Sequence, residues 1–309
     1  MTVTGAPALR CSAWTRGQDV DPVGTAGYYR GFVLADVPLP WPRDVGQMDQ
    51  LEPVGRLVDG RRYRIQAVVP DPGGDGGRVV LHAPVGDGGA GWFCGYRRTE
   101  AAARPDLASG LEQLLAQADA PDADPAPAVT DLLVCTHGRR DVCCGSMGTE
   151  LYGNLAGTGR LPAGVRLRRT SHTGGHRFAP TFLLLPQGTM WAYADSELVY
   201  RVLERSVPFD RVAGHYRGCS GLGPAPVQAL ERAVLAETGW DLLDRPRRGF
   251  ATGEASADGG GRYRLETVDG AWEATARPGR TLPVPDCLKP ISEASKTETE
   301  WVVSDLQAV

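Results

Sequence analysis

The chain has 309 residues, 42% of them hydrophobic and 23% charged, with a formal net charge of −4. That is enough chain for two domains and enough apolar content for a globular core. The acidic balance excludes a general electrostatic nucleic-acid binder. Only Lys289 and Lys296 are lysines among 33 basic residues, a skew that, with abundant Ala, Gly, Asp and Pro, points to a bacterial genome rich in G+C. Residues 1–14 carry no basic segment followed by an apolar one, and no apolar run approaches a membrane span, so the expectation is a cytoplasmic chain with no membrane partner. Seven cysteines (Cys11, Cys94, Cys135, Cys143, Cys144, Cys219 and Cys287) are an odd number spread over a long chain. In a reducing compartment they read as metal ligands or buried thiols, not as a disulfide framework.

In chain order, apolar runs separated by Gly and Pro predict strands at 31–37, 63–69, 78–85 and 91–96. A helix follows at 107–117, with Leu111, Leu114 and Leu115 on one face. The stretch 118–128, ADAPDADPAPA, reads as a linker. Beyond it the spacing predicts a buried strand at 130–135, a helix at 145–156 and strands at 165–170, 181–185 and 189–194. Asp195 is placed to cap a helix running to about residue 206, and a further helix covers 226–237. The order β-α-β-β-β-α is close to that of a thioredoxin-like sheet flanked by helices. Residues 262–276 predict a hairpin turning at Asp269-Gly270, and from Pro278 the polar composition predicts a partly ordered tail. The predicted fold class is α/β: an N-terminal α/β domain (1–117), a thioredoxin-like domain (129–245), and a hairpin with a tail (246–309).

Two residue pairs carry the chemistry. Cys135 and Cys144 bracket the segment CTHGRRDVCC, and His172 and His176 bracket SHTGGH without its serine. Thiolate and imidazole ligands suit zinc or an iron–sulfur cluster, not magnesium or calcium. Zinc knuckles bring cysteines two to four residues apart. Eight intervening residues better fit a loop around a larger object, so both metals stay open on spacing. The Rieske pattern is incomplete, because no cysteine has a histidine three residues on; this leaves His137 beside the site rather than in it. Cys11, Cys94, Cys219 and Cys287 show no paired spacing and read as incidental or buried thiols. His82 reads as a sheet residue, and His215 as structural.

The segment CTHGRRDVCCGSMG (135–148) together with HTGGHRFAPT (172–181) resembles the sucrase/ferredoxin-like family. DPVGTA (21–26), residues 38–42 and Tyr216-Arg217-Gly218 add to the likeness, which covers about residues 20–240. It implies a thioredoxin-like ferredoxin with one [2Fe–2S] cluster, held by Cys135 and Cys144 on one iron and by His172 and His176 on the other. Cys144 followed by Gly-Ser-Met-Gly fits the family pattern better than Cys143, which stays as the alternative. The implied role is electron transfer with an unidentified redox partner protein. An imidazole ligand has a second nitrogen that can gain or lose a proton, so the potential is expected to fall as pH rises. Two competing readings are a structural zinc module and a thiol-dependent oxidoreductase using Cys143 or Cys144. Arg139, Arg140, Arg166, Arg168, Arg169 and Arg177 are either solvated faces or a positive docking rim.

Overall fold

The computed structural model of the chain describes residues 9–72, 77–85, 91–118, 129–254, 256–257 and 259–309. Apart from Ala118, the predicted linker lies outside them.

The first half runs from helix α1 (Cys11–Gly17) through β1 (Gly31–Asp36), α2 (Glu52–Leu57), β2 (Tyr63–Val68), β3 (Arg78–Pro84) and β4 (Tyr96–Ala102) to α3 (Leu107–Ala118). The second half repeats the pattern: β5 (Thr130–Cys135), α4 (Val142–Thr158), β6 (Val165–Thr170), β7 (Phe182–Leu185), β8 (Thr189–Trp191), α5 (Ser196–Glu204). Then come β9 (Tyr216–Cys219), α6 (Ala225–Thr238), β10 (Arg247–Ala251), β11 (Gly261–Thr267), β12 (Gly270–Pro283) and β13 (Thr297–Ala308). The protein is therefore mixed α/β. No described helix is long and apolar enough to cross a membrane.

Among the described residues, nine strands form one sheet in the order β4-β3-β1-β2-β6-β5-β7-β8-β9. In each half a parallel pair (β1·β2, β5·β6) is extended by antiparallel neighbours. The halves join edge to edge at a single pair of positions, Val68 and Thr170. This narrow junction lets the sheet fold back on itself. His82 on β3 reaches Asp131 on β5 at 2.9 Å, although β1, β2 and β6 separate those strands along the sheet.

All six residues of β1 are buried because both faces are covered. Val33 and Ala35 pack with Leu107, Leu111 and Leu114 of α3 and Val54 of α2. Phe32 and Leu34 face the other way, into the core shared with the second half. Alternation sends successive side chains to opposite faces, so one strand serves two cores.

Three expectations need correction. The run 91–96 is not a strand: Phe93 makes an isolated bridge to Arg247, and pairing with β3 begins at Tyr96. The helix after Cys135 starts at Val142, three residues early, because Asp141 caps it. The C-terminal stretch is no loose tail. β12 continues to Pro283 and β13 pairs along it, giving a four-stranded sheet ordered β10-β11-β12-β13. Its inward residues Tyr263, Leu265, Ala274 and Ala276 pack into the same core as Val227, Leu230 and Val234 of α6.

Candidate metal centre

The site forms where β5 ends and α4 begins. Cys135 is the last residue of β5, and its carbonyl lies against Gly148, where any side chain would overlap it. A residue without a Cβ lets the helix approach the strand this closely. Asp141 caps α4 by accepting from the backbone N–H of Cys143 (2.9 Å) and Cys144 (3.2 Å). Cys144 then points back at Cys135, and both are buried.

The histidines come from the loop after β6. His172 is half-buried, with Nδ1 4.0 Å from Cys135 Sγ. Cys135 Sγ, Cys144 Sγ and a His172 ring nitrogen all lie within 4.8 Å of one another. His176 stands beside this trio, its ring centre 5.8 Å from that of His172. Its Nε2 donates to Pro285 O at 3.1 Å, which leaves Nδ1 as the nitrogen available to a metal. The structure thus brings three of the four sequence-selected residues together and sets the fourth alongside. Cys143 turns away from this group. A donor set of two thiols and two imidazoles, with no carboxylate among them, fits a thiophilic metal or cluster.

Electrostatics favour one shared proton on the thiol pair. The Cys144 thiol donates to Cys135, which holds Cys135 well below the ordinary thiol range and pushes Cys144 well above it. Burial holds His176 and His137 below the ordinary histidine value, which keeps them neutral.

Residues far from the motif hold the histidine loop. His137 Nε2 donates to Pro42 O at 2.8 Å, and its Nδ1 accepts the His172 backbone N–H at 3.3 Å. Arg64 Nη2 donates to His172 O at 2.7 Å. Arg217 is 1% exposed; it donates to Thr25 Oγ1 (3.0 Å), Thr25 O (2.6 Å) and Gly174 O (3.1 Å). Gly175 sits at φ +68° directly against that guanidinium, so only glycine fits there. DPVGTA, HTGGH and Tyr216-Arg217-Gly218 are therefore one structural unit, although the sequence scatters them.

The basic cluster separates into parts. Arg168 is buried on Asp36, Arg177 pairs with Glu298 at 2.8 Å, and Arg166 pairs with Glu100 at 2.8 Å. Arg169 lies over the Tyr152 ring. Only Arg139 and Arg140 of the six are exposed.

The sucrase/ferredoxin-like family matches over residues 62–218. The chain belongs to this family. The matched region holds Cys135, Cys144, His172 and His176, and it is narrower than the sequence likeness, leaving DPVGTA outside. No curated protein and no solved structure matches the chain. Membership together with the convergence of the two thiols and the His172 imidazole makes the site compatible with metal binding.

Sequence reasoning passed over Cys11, Cys287, Asp141 and Arg217 as functional positions. Asp141 was findable, since an Asp ahead of a helix is a start signal. Cys11 and Cys287 carry no local signal, because they stand 276 positions apart in the chain.

Proposed function

We propose that this protein is a one-electron carrier of the sucrase/ferredoxin-like family, with a [2Fe–2S] cluster held by Cys135, Cys144, His172 and His176. The convergence of the Cys135 and Cys144 thiols with the His172 imidazole carries the reading. Bound there, such a cluster supplies reversible one-electron oxidation and reduction at a potential raised by imidazole ligation; in Rieske centres the range is about −150 to +300 mV, against about −400 mV for all-cysteine plant-type clusters.

The protein's own residues do the rest. Cys135 and Cys144 lie inside, at 1% exposure each, while both histidines are half-buried. The imidazole edge is thus the side nearest solvent and the route for electrons. The helix α4 N-terminus offers positive dipole potential to the thiolates. His137, Arg64 and Arg217 fix the backbone of the histidine loop, which limits movement of the ligands between redox states.

Purification without oxygen, followed by visible and EPR spectra before and after dithionite, tests this. The expected result is visible bands that bleach, a rhombic reduced-state signal of mixed nitrogen–sulfur ligation, and a potential that falls as pH rises. A protein that stays colourless after reconstitution with iron and sulfide, with zinc bound by these four residues, would make the site structural.

A further inference from the structure

A second group of donors lies on the other side of α4. Cys143 follows Asp141 by two residues, and as the helical neighbour of Cys144 it projects about 100° away from it. Cys287, on the turn between β12 and β13, has its Sγ 3.2 Å from Cys143 Sγ and 3.2 Å from Cys11 Sγ. Cys11 Sγ lies 3.4 Å from Asp141 Oδ2. One sulfur from each cysteine and an oxygen of Asp141 all fall within 4.8 Å of one another. Cys11, Cys143 and Asp141 are buried; Cys287 is half-buried.

We propose that Cys11, Cys143, Cys287 and Asp141 form a second, mononuclear zinc site, separate from the centre at Cys135. Structural zinc is four-coordinate and thiolate-rich, and it accepts carboxylate oxygen as well as sulfur, so three thiolates and the Asp141 carboxylate complete its set. With Zn–S of about 2.3 Å, a tetrahedral site has sulfur–sulfur edges of about 3.8 Å. The observed 3.2 Å spacings reach that by a small outward shift, which Cys287 on its turn permits. A disulfide is the poorer account. Its S–S bond of about 2.05 Å needs a larger shift, inward, and leaves one of the three thiols unmatched beside a carboxylate. The carboxylate is also preset: Asp141 Oδ1 is taken by the two backbone N–H groups of α4, which turns Oδ2 toward Cys11. The Cys11 backbone N–H points at Cys287 Sγ (3.4 Å), as suits a thiolate that keeps part of its charge on the metal. Loading releases the three thiol protons to solvent and changes no oxidation state.

Such a site cross-links three distant segments. Leu288 N–H already bonds Leu9 O at 2.9 Å, and Pro285 on the same turn takes the His176 imidazole at 3.1 Å. Zinc would hold the N-terminal helix and the C-terminal turn over the histidine side of the first centre. Cys11 and Cys287 both fall outside the family match, so this clamp is a property of this chain's flanking segments.

The test is elemental analysis of the full chain purified without oxygen, with zinc K-edge X-ray absorption. The expected result is one zinc per chain, with about three sulfur neighbours at roughly 2.3 Å and one oxygen at roughly 2.0 Å. Cys287→Ser lowers zinc occupancy at least tenfold under a fixed chelator and leaves any iron chromophore intact. His172→Ala leaves zinc in place, whatever it does to iron. Three freely titrating thiols without zinc overturn the proposal, as does a Cys143–Cys287 or Cys11–Cys287 disulfide in the mass spectrum. Zinc lost in His172→Ala but kept in Cys287→Ser would put it at the first centre instead, overturning both readings; iron absent with zinc intact would overturn only the electron-carrier reading.

Discussion

Arg217 shows how much one side chain can organise. It is fully buried and donates to three oxygens, two on Thr25 and one on Gly174. Burial lowers its pKa to about 10, still high enough to keep it charged at neutral pH. Removing it leaves those half-buried acceptors without their donor and frees the two glycines between the histidines. Hydrogen bonds to a charged group are worth about 1.5–3 kcal/mol each, and not additively. Arg217→Ala is therefore expected to cost about 3 kcal/mol and to lower metal occupancy at the histidine loop. Arg217→Lys should recover part of both, since an ammonium donates but lacks the planar fork. Urea denaturation with iron analysis checks it; unchanged occupancy in Arg217→Ala would show the loop holds itself. His82 is the second residue-scale case. Its ring is fully buried on Asp131, which Arg98 also holds at 2.8 Å. Burial depresses its pKa below 6.5, so the folded state keeps it neutral while the unfolded chain protonates it. The stability from this group is present above about pH 6.5 and is lost as pH falls below it. His137 and His176 act in the same direction, so the variant isolates His82: the urea midpoint of the wild type should drop more steeply from pH 7 to about 5.5 than that of His82→Asn. Parallel curves would exclude His82 as a source of acid sensitivity.

At the scale of elements, α6 is held between the main sheet and the C-terminal sheet. Glu231 on α6 accepts from Arg247 Nε on β10 at 2.7 Å and from the Tyr216 hydroxyl on β9 at 2.8 Å. All three residues are at most 1% exposed. Glu231→Gln keeps the shape but leaves a buried cation without its counter-charge, which typically costs about 3–5 kcal/mol. A double change, Glu231→Leu with Arg247→Met, should cost less than the two single changes together, because it leaves no buried charge unpaired, and its remaining cost is the Tyr216 hydroxyl that loses its acceptor. Denaturant titrations decide; a double variant as unstable as the sum of the singles would refute the buried-pair account. The same region shows where the sequence is legible and where it is not. β5 reads plainly because Leu132, Leu133 and Val134 are continuous and buried. β13 does not: it is an outer strand with Trp301, Val303 and Leu306 only partly covered and its charges paired across to β12, as in Arg280 with Glu300 at 2.7 Å. Its order comes from antiparallel pairing along β12, the strand before it in the chain, and local hydrophobic pattern does not record that.

At the scale of the whole molecule, the candidate site is a joint product of both halves and both ends. The motif residues are legible because each pair is local: eight residues lie between the cysteines and three between the histidines. What steadies them is not, since Pro42, Arg64, Thr25 and Pro285 reach the site only through the folded-back sheet and the C-terminal turn. The exposed face of this assembly carries the remaining question of partner choice. Arg139 and Arg140 sit between the two cysteines and are exposed, in a chain of net charge −4. Arg139 also lines a cleft of about 510 Å³ with Leu39, Pro40 and Trp41, an apolar wall beside a positive rim. A local positive field in an acidic protein attracts anionic donors and repels cationic ones, and salt weakens both effects over about 10 Å at 0.1 M. If the proposed cluster is the electron acceptor, Arg139→Glu with Arg140→Glu should therefore slow its reduction by dithionite several-fold at low salt and speed its reduction by a cationic viologen. Both differences should shrink as salt is added. Stopped-flow kinetics with the two reductants measure this directly. Equal changes for both would trace the effect to the cluster environment rather than the surface field, and no change for either would make the two arginines a solvated loop with no role in docking.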